Sequence, residues 1–176
     1  MDLLNFLALP DKKDYKCYNV LKKLLEENEE FKKIITEGYM SGKIRGFDEE
    51  LWNKIRMQNL RKPYSFEDVF KEGANIGTCT VTAKQLSYSF PYCYLCGGVL
   101  PLIKGTRNSE DGSHTWMLYN GEVYDTTLML IMDENYTKKL GYHETRRDNP
   151  NKDPKYMSAK DFTNDSGFRK SSGMSR

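Results

Sequence analysis

The chain has 176 residues, of which 38% are hydrophobic and 12% aromatic, a composition that suits a folded domain with its own core. Its 27 basic and 25 acidic residues give a net charge of +2, so the overall charge does not indicate binding to nucleic acid. No apolar run reaches the length of a membrane span, and the first residues lack the basic segment of a signal peptide. With four cysteines and no secretion signal, we expect a cytoplasmic protein whose thiols are reduced.

Charge divides the chain into three parts. Residues 1–72 carry 14 basic and 14 acidic groups, residues 73–137 carry 3 and 6, and residues 138–176 carry 10 and 5. We expect one domain over residues 1–160 and a mobile basic tail over residues 161–176. The simplest interpretation of the tail is a solvated segment, and the alternative is a contact surface for an acidic partner.

The first seventy residues are predicted to be helical. Apolar side chains recur there at spacings of three, four and seven on one side of a helix: Cys17, Val20, Leu21, Leu24, Phe31 and Ile35. This pattern makes Cys17 a core residue. In "FDEELWNKIRMQNL", Asp48 is placed to cap another helix, and Phe47 and Trp52 have the spacing of a hydrophobic staple.

The segment "YSFEDVF" has the same capping pattern. Ser65 is the predicted cap, Asp68 occupies the capping-box position, and Tyr64 and Val69 can form the staple. This helix should end near Gly73.

The segment "NIGTCTVTAKQLSYSF" is open to two interpretations. Its β-branched residues are disfavoured in helices, and "TCTVT" alternates as a strand does. An apolar stripe at helical spacing favours a helix: Cys79, Ala83, Leu86 and Phe90. With Gly77 and Thr78 as turn and N-cap in front, we predict that Cys79 lies at the N-terminus of a helix.

From "PYCYLCGGVLPLIKGT" onward the pattern changes to short strands. Asn120-Gly121, between "HTWMLY" and "EVYDTT", predicts a β-hairpin because both residues accept the positive φ of a type I′ turn. In that register Leu118 faces Val123, and one face of the hairpin carries six residues. They are His114, Trp116, Leu118, Val123, Asp125 and Thr127.

Three residues on these elements form a candidate catalytic group. His114 and Asp125 become diagonal neighbours, close enough for the carboxylate to fix the imidazole tautomer and stabilise its protonated form. At the start of a helix, Cys79 would have a lowered thiol pKa and amide N–H groups that could bind an oxyanion. Cysteine, histidine and aspartate in this layout would act as nucleophile, general base and orienting group.

The segments "GTC", "HTW" and "YDTT" resemble the transglutaminase-like branch of the papain-like thiol enzymes over roughly residues 73–130. The resemblance implies Cys79 as nucleophile, His114 as general base and acid, and Asp125 as the orienting group. It implies an α+β fold, with an N-terminal helical layer and a central helix bearing the cysteine packed on an antiparallel sheet. The chain departs from the family pattern in its short His114–Asp125 interval, in Thr126 where proline is frequent, and in a threonine-rich helix after the cysteine.

Substrate contacts are less clearly encoded. Trp116 lies on the same face as the proposed pair, where it is predicted to be a hydrophobic lid beside the imidazole and a candidate for substrate binding. Asn75 is a candidate for substrate binding, and together with Trp52 and Gln58 it belongs to the polar groups that could reach the site. The sequence assigns none of them as a second oxyanion donor.

Two other motifs allow alternative chemistry. Cys93 and Cys96 form a Cys-x-x-C pair that could bind zinc or act in redox exchange, but no second close pair of ligands accompanies them. We therefore predict buried structural cysteines and no metal site. His143 lies in a polar stretch and is predicted to be a surface histidine, with a back-up role as base as the alternative.

These observations predict a thiol-dependent enzyme that hydrolyses an amide or peptide bond through a thioester on Cys79. The expected substrate is a protein or peptide, and the expected mechanism needs no metal or organic cofactor. The alternatives are acyl transfer to an amine, as in a transglutaminase, and a binding module whose triad is silent.

Overall fold

A computed structural model describes residues 18–47, 49–58, 65–71, 79–90, 92–106 and 109–149 of the chain. The α-helices are α1 (Tyr18–Glu27), α2 (Glu29–Met40), α3 (Glu49–Met57), α4 (Cys79–Ser87) and α5 (Glu134–Lys139). The strands are β1 (Ile44–Gly46), β2 (Tyr94–Val99), β3 (Ser113–Tyr119), β4 (Glu122–Asp125), β5 (Leu130–Asp133) and β6 (His143–Asp148). A π-helical turn, Glu67–Lys71, and a 3-10 turn, Pro101–Ile103, complete the regular structure of these residues.

The strands form one six-stranded sheet in the order β1-β5-β4-β3-β2-β6, and all neighbouring strands are antiparallel. Helix α4 packs on β3 and β2, whereas α2 contacts β1 at the opposite edge of the sheet. The predicted combination of helices with an antiparallel sheet is therefore confirmed. None of the described helices has the length and the apolar character needed to cross a membrane.

The N-terminal helical pattern is divided between two helices. Asn28 separates α1 from α2, and its side-chain oxygen accepts a hydrogen bond from the Phe31 amide at 2.9 Å. The apolar stripe continues across this break, because Leu21, Phe31 and Ile35 are all fully buried. Cys17 lies outside the described residues.

The prediction that the first seventy residues are only helical is wrong at β1. Ile44–Gly46 pairs with β5, with Ile44 opposite Met132 and Gly46 opposite Leu130. A strand of three residues is too short to show an alternating pattern, and the residues with which it pairs, on β5, lie far along the chain. Strand β1 is therefore determined by tertiary pairing rather than by local sequence.

The Phe47–Trp52 staple and the Ser65 cap are confirmed. The rings of Phe47 and Trp52 meet edge to face with centroids 5.7 Å apart, which fixes the entry to α3. Ser65 accepts a hydrogen bond from the Asp68 amide at 3.1 Å, and the turn that follows is π-helical rather than α-helical. Asp48, Tyr64 and Gly73 lie outside the described residues.

The hairpin prediction is confirmed in turn and in register. Asn120 and Gly121 have φ values of 53° and 80°, the left-handed conformations that a type I′ turn requires. Leu118 lies opposite Val123, as the two-residue turn demands. This turn brings the far ends of β3 and β4 together.

The polar stretch after β5 is more ordered than the sequence suggests. It contains α5 and the edge strand β6, which pairs with β2 and is exposed along all six residues. A strand with no buried face has no alternating signal, so sequence reasoning missed it. The pairing shifts register between Gly97 and Gly98, which is a β-bulge.

Candidate active site

Cys79 begins the part of α4 that the structure describes, Cys79–Ser87. Its side chain is half-buried. Two pairs of threonine hydroxyls connect this helix to the sheet region. The Oγ1 atoms of Thr80 and Thr115 are 2.9 Å apart, and those of Thr82 and Thr126 are 2.8 Å apart in a buried contact. The threonine-rich sequence of α4 therefore positions Cys79 against β3 and the turn after β4.

His114 and Asp125 meet as predicted. Nε2 of His114 lies 2.7 Å from Oδ2 of Asp125, and their side chains are 1% and 0% exposed. The second carboxylate oxygen, Oδ1, accepts hydrogen bonds from the amides of Thr127 and Leu128, each at 2.9 Å. The Tyr142 hydroxyl donates a further hydrogen bond to Oδ2. Four donors thus hold this carboxylate in one orientation.

This arrangement fixes the roles of the two imidazole nitrogens. Because Nε2 carries the hydrogen donated to Asp125, Nδ1 is the nitrogen that can accept or release a proton on the Cys79 side. Nδ1 is buried and has no aligned hydrogen bond to the described residues. Cys79 is nevertheless close enough for the thiol and the ring to change each other's pKa.

The charges of the three groups support one another. Burial raises the pKa of the Cys79 thiol, but interaction with His114 and a hydrogen bond from the Thr115 amide outweigh it, so the net pKa is lowered. Burial lowers the pKa of His114, and the Asp125 charge more than reverses this, so the net pKa is raised. Burial likewise raises the pKa of Asp125, but the His114 charge and the hydrogen bonds it accepts lower it overall. These directions favour a thiolate–imidazolium pair beside an ionised carboxylate.

Aromatic rings enclose the buried side of the imidazole. Trp116 is 3% exposed and lies with its ring centroid 5.7 Å from that of His114. Tyr142 packs edge to face on Trp116 at 5.0 Å. Trp116 thus packs beside the imidazole, and it is not among the residues that line the open side of the site.

A cleft of about 360 Å³ opens on the accessible side of Cys79 and His114. It is lined by Cys79, Thr80, Gly97, Gly98, Val99, Ser113, His114, Thr115, Thr145 and Arg146. The two glycines leave the floor on β2 without side chains. A Cβ on Gly98 would lie 2.0 Å from the His143 carbonyl oxygen, so the neighbouring strand can approach closely only because this residue is glycine.

The remaining predicted contacts lie elsewhere. Trp52 is fully buried in the core, and Gln58 is exposed just after α3. Neither lines the cleft, and Asn75 lies outside the described residues.

Cys93 and Cys96 are buried, as predicted for structural cysteines, and burial raises the pKa of each thiol to about 12. Within the described ranges, no group of three or more His, Cys, Asp or Glu side chains could hold a metal ion. His143 is exposed, as predicted, but it begins a strand beside β2 rather than lying in an irregular stretch.

Sequence reasoning missed Tyr142, Arg146 and the Thr82–Thr126 contact. Arg146 reaches the site because β6 pairs with β2, and Tyr142 directly precedes β6. Neither position has a local signal in the sequence. The sequence does carry a signal for the threonine contact. Thr82 follows the proposed nucleophile and Thr126 follows Asp125, so each lies next to a residue of the proposed site. Thr126 stands where the resembled family often has proline, which has no hydroxyl to offer such a contact.

Comparisons with protein-family models, with curated proteins and with solved structures found no match to this chain.

Proposed function

We propose that the protein is a cysteine-dependent acyl-transfer enzyme that hydrolyses an amide or peptide bond through a thioester on Cys79. The observation that carries the proposal is the buried His114–Asp125 pair, 2.7 Å apart, next to a thiol with a lowered pKa at the edge of an open cleft. The fold class and the order of the three residues fit the transglutaminase-like branch of the papain-like enzymes, and we extend the proposal to that family.

In the first half-reaction the Cys79 thiolate attacks the substrate carbonyl carbon, and the carbonyl π electrons move to the oxygen. We assign the amide of Cys79, on α4, as the donor to that oxyanion. His114 then transfers the proton on Nδ1 to the leaving nitrogen as the carbon–nitrogen bond breaks. An amine leaves, and the acyl group remains on Cys79 as a thioester.

The second half-reaction reverses these roles. His114, now neutral, accepts a proton from water through Nδ1 while the water oxygen attacks the thioester carbon. Collapse of this intermediate breaks the carbon–sulfur bond, releases a carboxylic acid and restores the thiolate–imidazolium pair. Asp125 keeps the ring in one tautomer and stabilises its charged form in both halves.

The substrate is proposed to be a protein or peptide, because the cleft is open at the surface and small enough to admit one side chain or a short segment of chain. The steps above use only side chains, backbone amides and water, so the proposal needs no metal or organic cofactor. Cys79 and Cys96 are free thiols, which fits the reducing cytoplasm that we propose as the location.

The test is acylation by p-nitrophenyl acetate, followed by intact and peptide mass spectrometry. We expect acetylation of Cys79 in the wild type, and loss of that acetyl group to water over time. Cys79→Ala should abolish the acylation, and His114→Ala should slow it strongly. If Cys93 or Cys96 is acetylated at the same rate as Cys79, or if the Cys79→Ala variant turns over the ester normally, the proposal is wrong.

The same experiment separates the alternatives. Added glycine amide would speed the loss of the acetyl group and appear as acetylglycine amide if the enzyme transfers acyl groups to amines. A folded protein whose Cys79 stays unacylated would be a binding module with a silent triad.

A further inference from the structure

The cleft beside Cys79 has an asymmetric charge. Among the described residues that line it, Arg146 is the one side chain with a permanent charge. The thiolate and imidazolium of the proposed pair offset each other, and Asp125 is fully buried behind the ring. Arg146 therefore places a positive charge on the accessible part of the cleft.

The β-bulge explains why Arg146 faces this cleft. Gly97 pairs with Arg146 and Gly98 pairs with Glu144, so Thr145 is the extra residue in β6. Regular alternation would send Thr145 and Arg146 to opposite faces, but both of them line the cleft. Bulges of this kind redirect side chains next to functional sites.

Gly97 provides the space for the guanidinium. A Cβ added to Gly97 would lie 2.6 Å from Nη2 and 2.9 Å from Cζ of Arg146. Any side chain on Gly97 would therefore displace the guanidinium from its place over β2. The bulge and the glycine together hold this charge over the floor of the cleft.

The ion pair of Arg146 with Asp148 leaves donors available. Their closest atoms are 3.4 Å apart and their side chains are 55% and 61% exposed, which makes this a weak, solvated contact. Arg147, the next residue, instead contacts Glu144 and Glu134. Of the two adjacent arginines, only Arg146 lines the cleft.

We infer that Arg146 binds a carboxylate of the acyl donor, so that the substrate carries an acidic group close to the bond that Cys79 attacks. This inference rests on the proposed function and adds a specificity-determining residue to it. A guanidinium offers paired N–H donors that match the two oxygens of a carboxylate.

The test compares two alkylating reagents that differ in charge. The Cys79 thiolate attacks the CH2 carbon of either iodoacetate or iodoacetamide and releases iodide into solution, but only iodoacetate carries a carboxylate. The ratio of their rates at Cys79, measured by mass spectrometry of the labelled peptide, therefore cancels the thiolate fraction. The variants are Arg146→Gln, Arg146→Lys and, as a control with the same change in net charge, Arg147→Gln.

We expect the iodoacetate-to-iodoacetamide ratio to fall roughly two- to fivefold in Arg146→Gln, the range for a solvent-exposed charge pair. Arg146→Lys should retain part of the preference, and Arg147→Gln should keep the wild-type ratio. Higher salt should weaken the preference in the wild type. An unchanged ratio in Arg146→Gln, or an equal fall in Arg147→Gln, would overturn the inference.

The two proposals fail in different ways. If Cys79 is slow with both reagents in the wild type, the activated thiol is absent and the proposed function fails. If iodoacetamide alkylates Cys79 rapidly but the iodoacetate-to-iodoacetamide ratio is the same in Arg146→Gln as in the wild type, the proposed function stands. In that case only the inferred specificity is wrong. Should Arg147→Gln unfold, Arg45→Gln on β1, whose exposed pair with Glu122 lies at the other edge of the sheet, serves as the control.

The source of the carboxylate is tested by protection against iodoacetamide. N-acetylaspartate amide carries a side-chain carboxylate, whereas acetylglycine carries a terminal one. The compound that slows alkylation of the wild type more than that of Arg146→Gln identifies the source. If neither compound does so, acidic acyl donors are not recognised and the inference fails.

Discussion

Cys79 and Cys96 are free thiols on two elements that both contact β3, yet their pKa values move in opposite directions. Burial raises the pKa of both. At Cys79, His114 and the Thr115 amide reverse that effect. At Cys96 the negative charge of Glu144 adds to it, and the pKa reaches about 12.

Neighbouring charges, rather than the cysteine itself, decide which of the two thiols has the lowered pKa and is therefore our proposed nucleophile. Cys96 is opposite Trp116 on β3, only two residues from His114, but it lacks the imidazolium. Substitutions that remove the charges around Cys79 should therefore raise its thiol pKa toward that of Cys96 and slow its reactions.

The largest expected effect is that of Asp125→Asn. The amide cannot stabilise the imidazolium, so the rate of Cys79 acylation by p-nitrophenyl acetate should fall by about 10²- to 10⁴-fold. Asp133→Asn is a matched control, because Asp133 caps α5 through a hydrogen bond from the Asn135 amide and asparagine caps equally well. Equal rates for Asp125→Asn and the control, with both proteins folded by circular dichroism, would contradict the role of the carboxylate.

Tyr142→Phe should have the next largest effect. It removes one hydrogen bond to a charged group, which costs about 1.5–3 kcal/mol of stability. The acylation rate should fall less, by up to about tenfold, because the Thr127 and Leu128 amides still hold the carboxylate. The lowered pKa of Asp125 stabilises the fold above the unfolded value of about 3.9, and this stability is lost as pH falls through the folded pKa. Removing the Tyr142 donor raises that folded pKa, so acid unfolding, followed by circular dichroism, should begin at higher pH.

Tyr136→Phe is the control for this change, since among the described residues the Tyr136 hydroxyl makes just one exposed contact, with the Ser41 hydroxyl at 3.3 Å. A shift of the same size in Tyr136→Phe would mean that the effect is general and does not pass through Asp125.

A smaller effect is expected for Thr126→Val, which breaks the buried contact with Thr82. The free energy of unfolding should fall by about 0.5–1.5 kcal/mol. Combining it with Thr82→Val should cost less than the sum of the two single changes, because both remove the same hydrogen bond. Urea unfolding of the four proteins measures this coupling, and simple additivity would show that α4 is held to the turn by other contacts.

Cys96→Ala should have the smallest effect on the site. The rate at which iodoacetamide labels Cys79 should not change, and the cost in stability should be about 1 kcal/mol. A chelator should leave the unfolding transition of the wild type unaltered, since Cys96 is assigned to packing. Unfolding promoted by the chelator would support zinc binding by the Cys-x-x-C pair. Loss of Cys79 reactivity in Cys96→Ala would contradict a purely structural role for Cys96.

Local signals predicted the parts of the fold that depend on short segments. Asn120-Gly121 determines the hairpin through its positive φ angles, and that register brings His114 to Asp125. The Phe47–Trp52 contact and the Ser65 cap follow from spacings of three to five residues. These features need no information from distant parts of the chain.

Long-range pairing produced the features that sequence reasoning missed. Strand β1 has three residues and β6 has no buried face, so neither gives the alternation by which strands are recognised. The hydrogen bond from Tyr142 to Asp125 depends on the path of the chain between β5 and β6. The residues on the side of the site away from the hairpin are thus brought there by tertiary contacts and not by local sequence.

The central claim is that Cys79 and His114 form a thiolate–imidazolium pair. The most direct measurement is the pH dependence of alkylation at each cysteine, resolved by mass spectrometry, in the wild type and in His114→Ala. We expect Cys79 to react rapidly well below the ordinary thiol pKa of about 8.5 and to lose this reactivity in His114→Ala, while Cys93 and Cys96 stay slow in both proteins. A wild-type Cys79 that titrates as an ordinary thiol, or that does not react, would contradict the account.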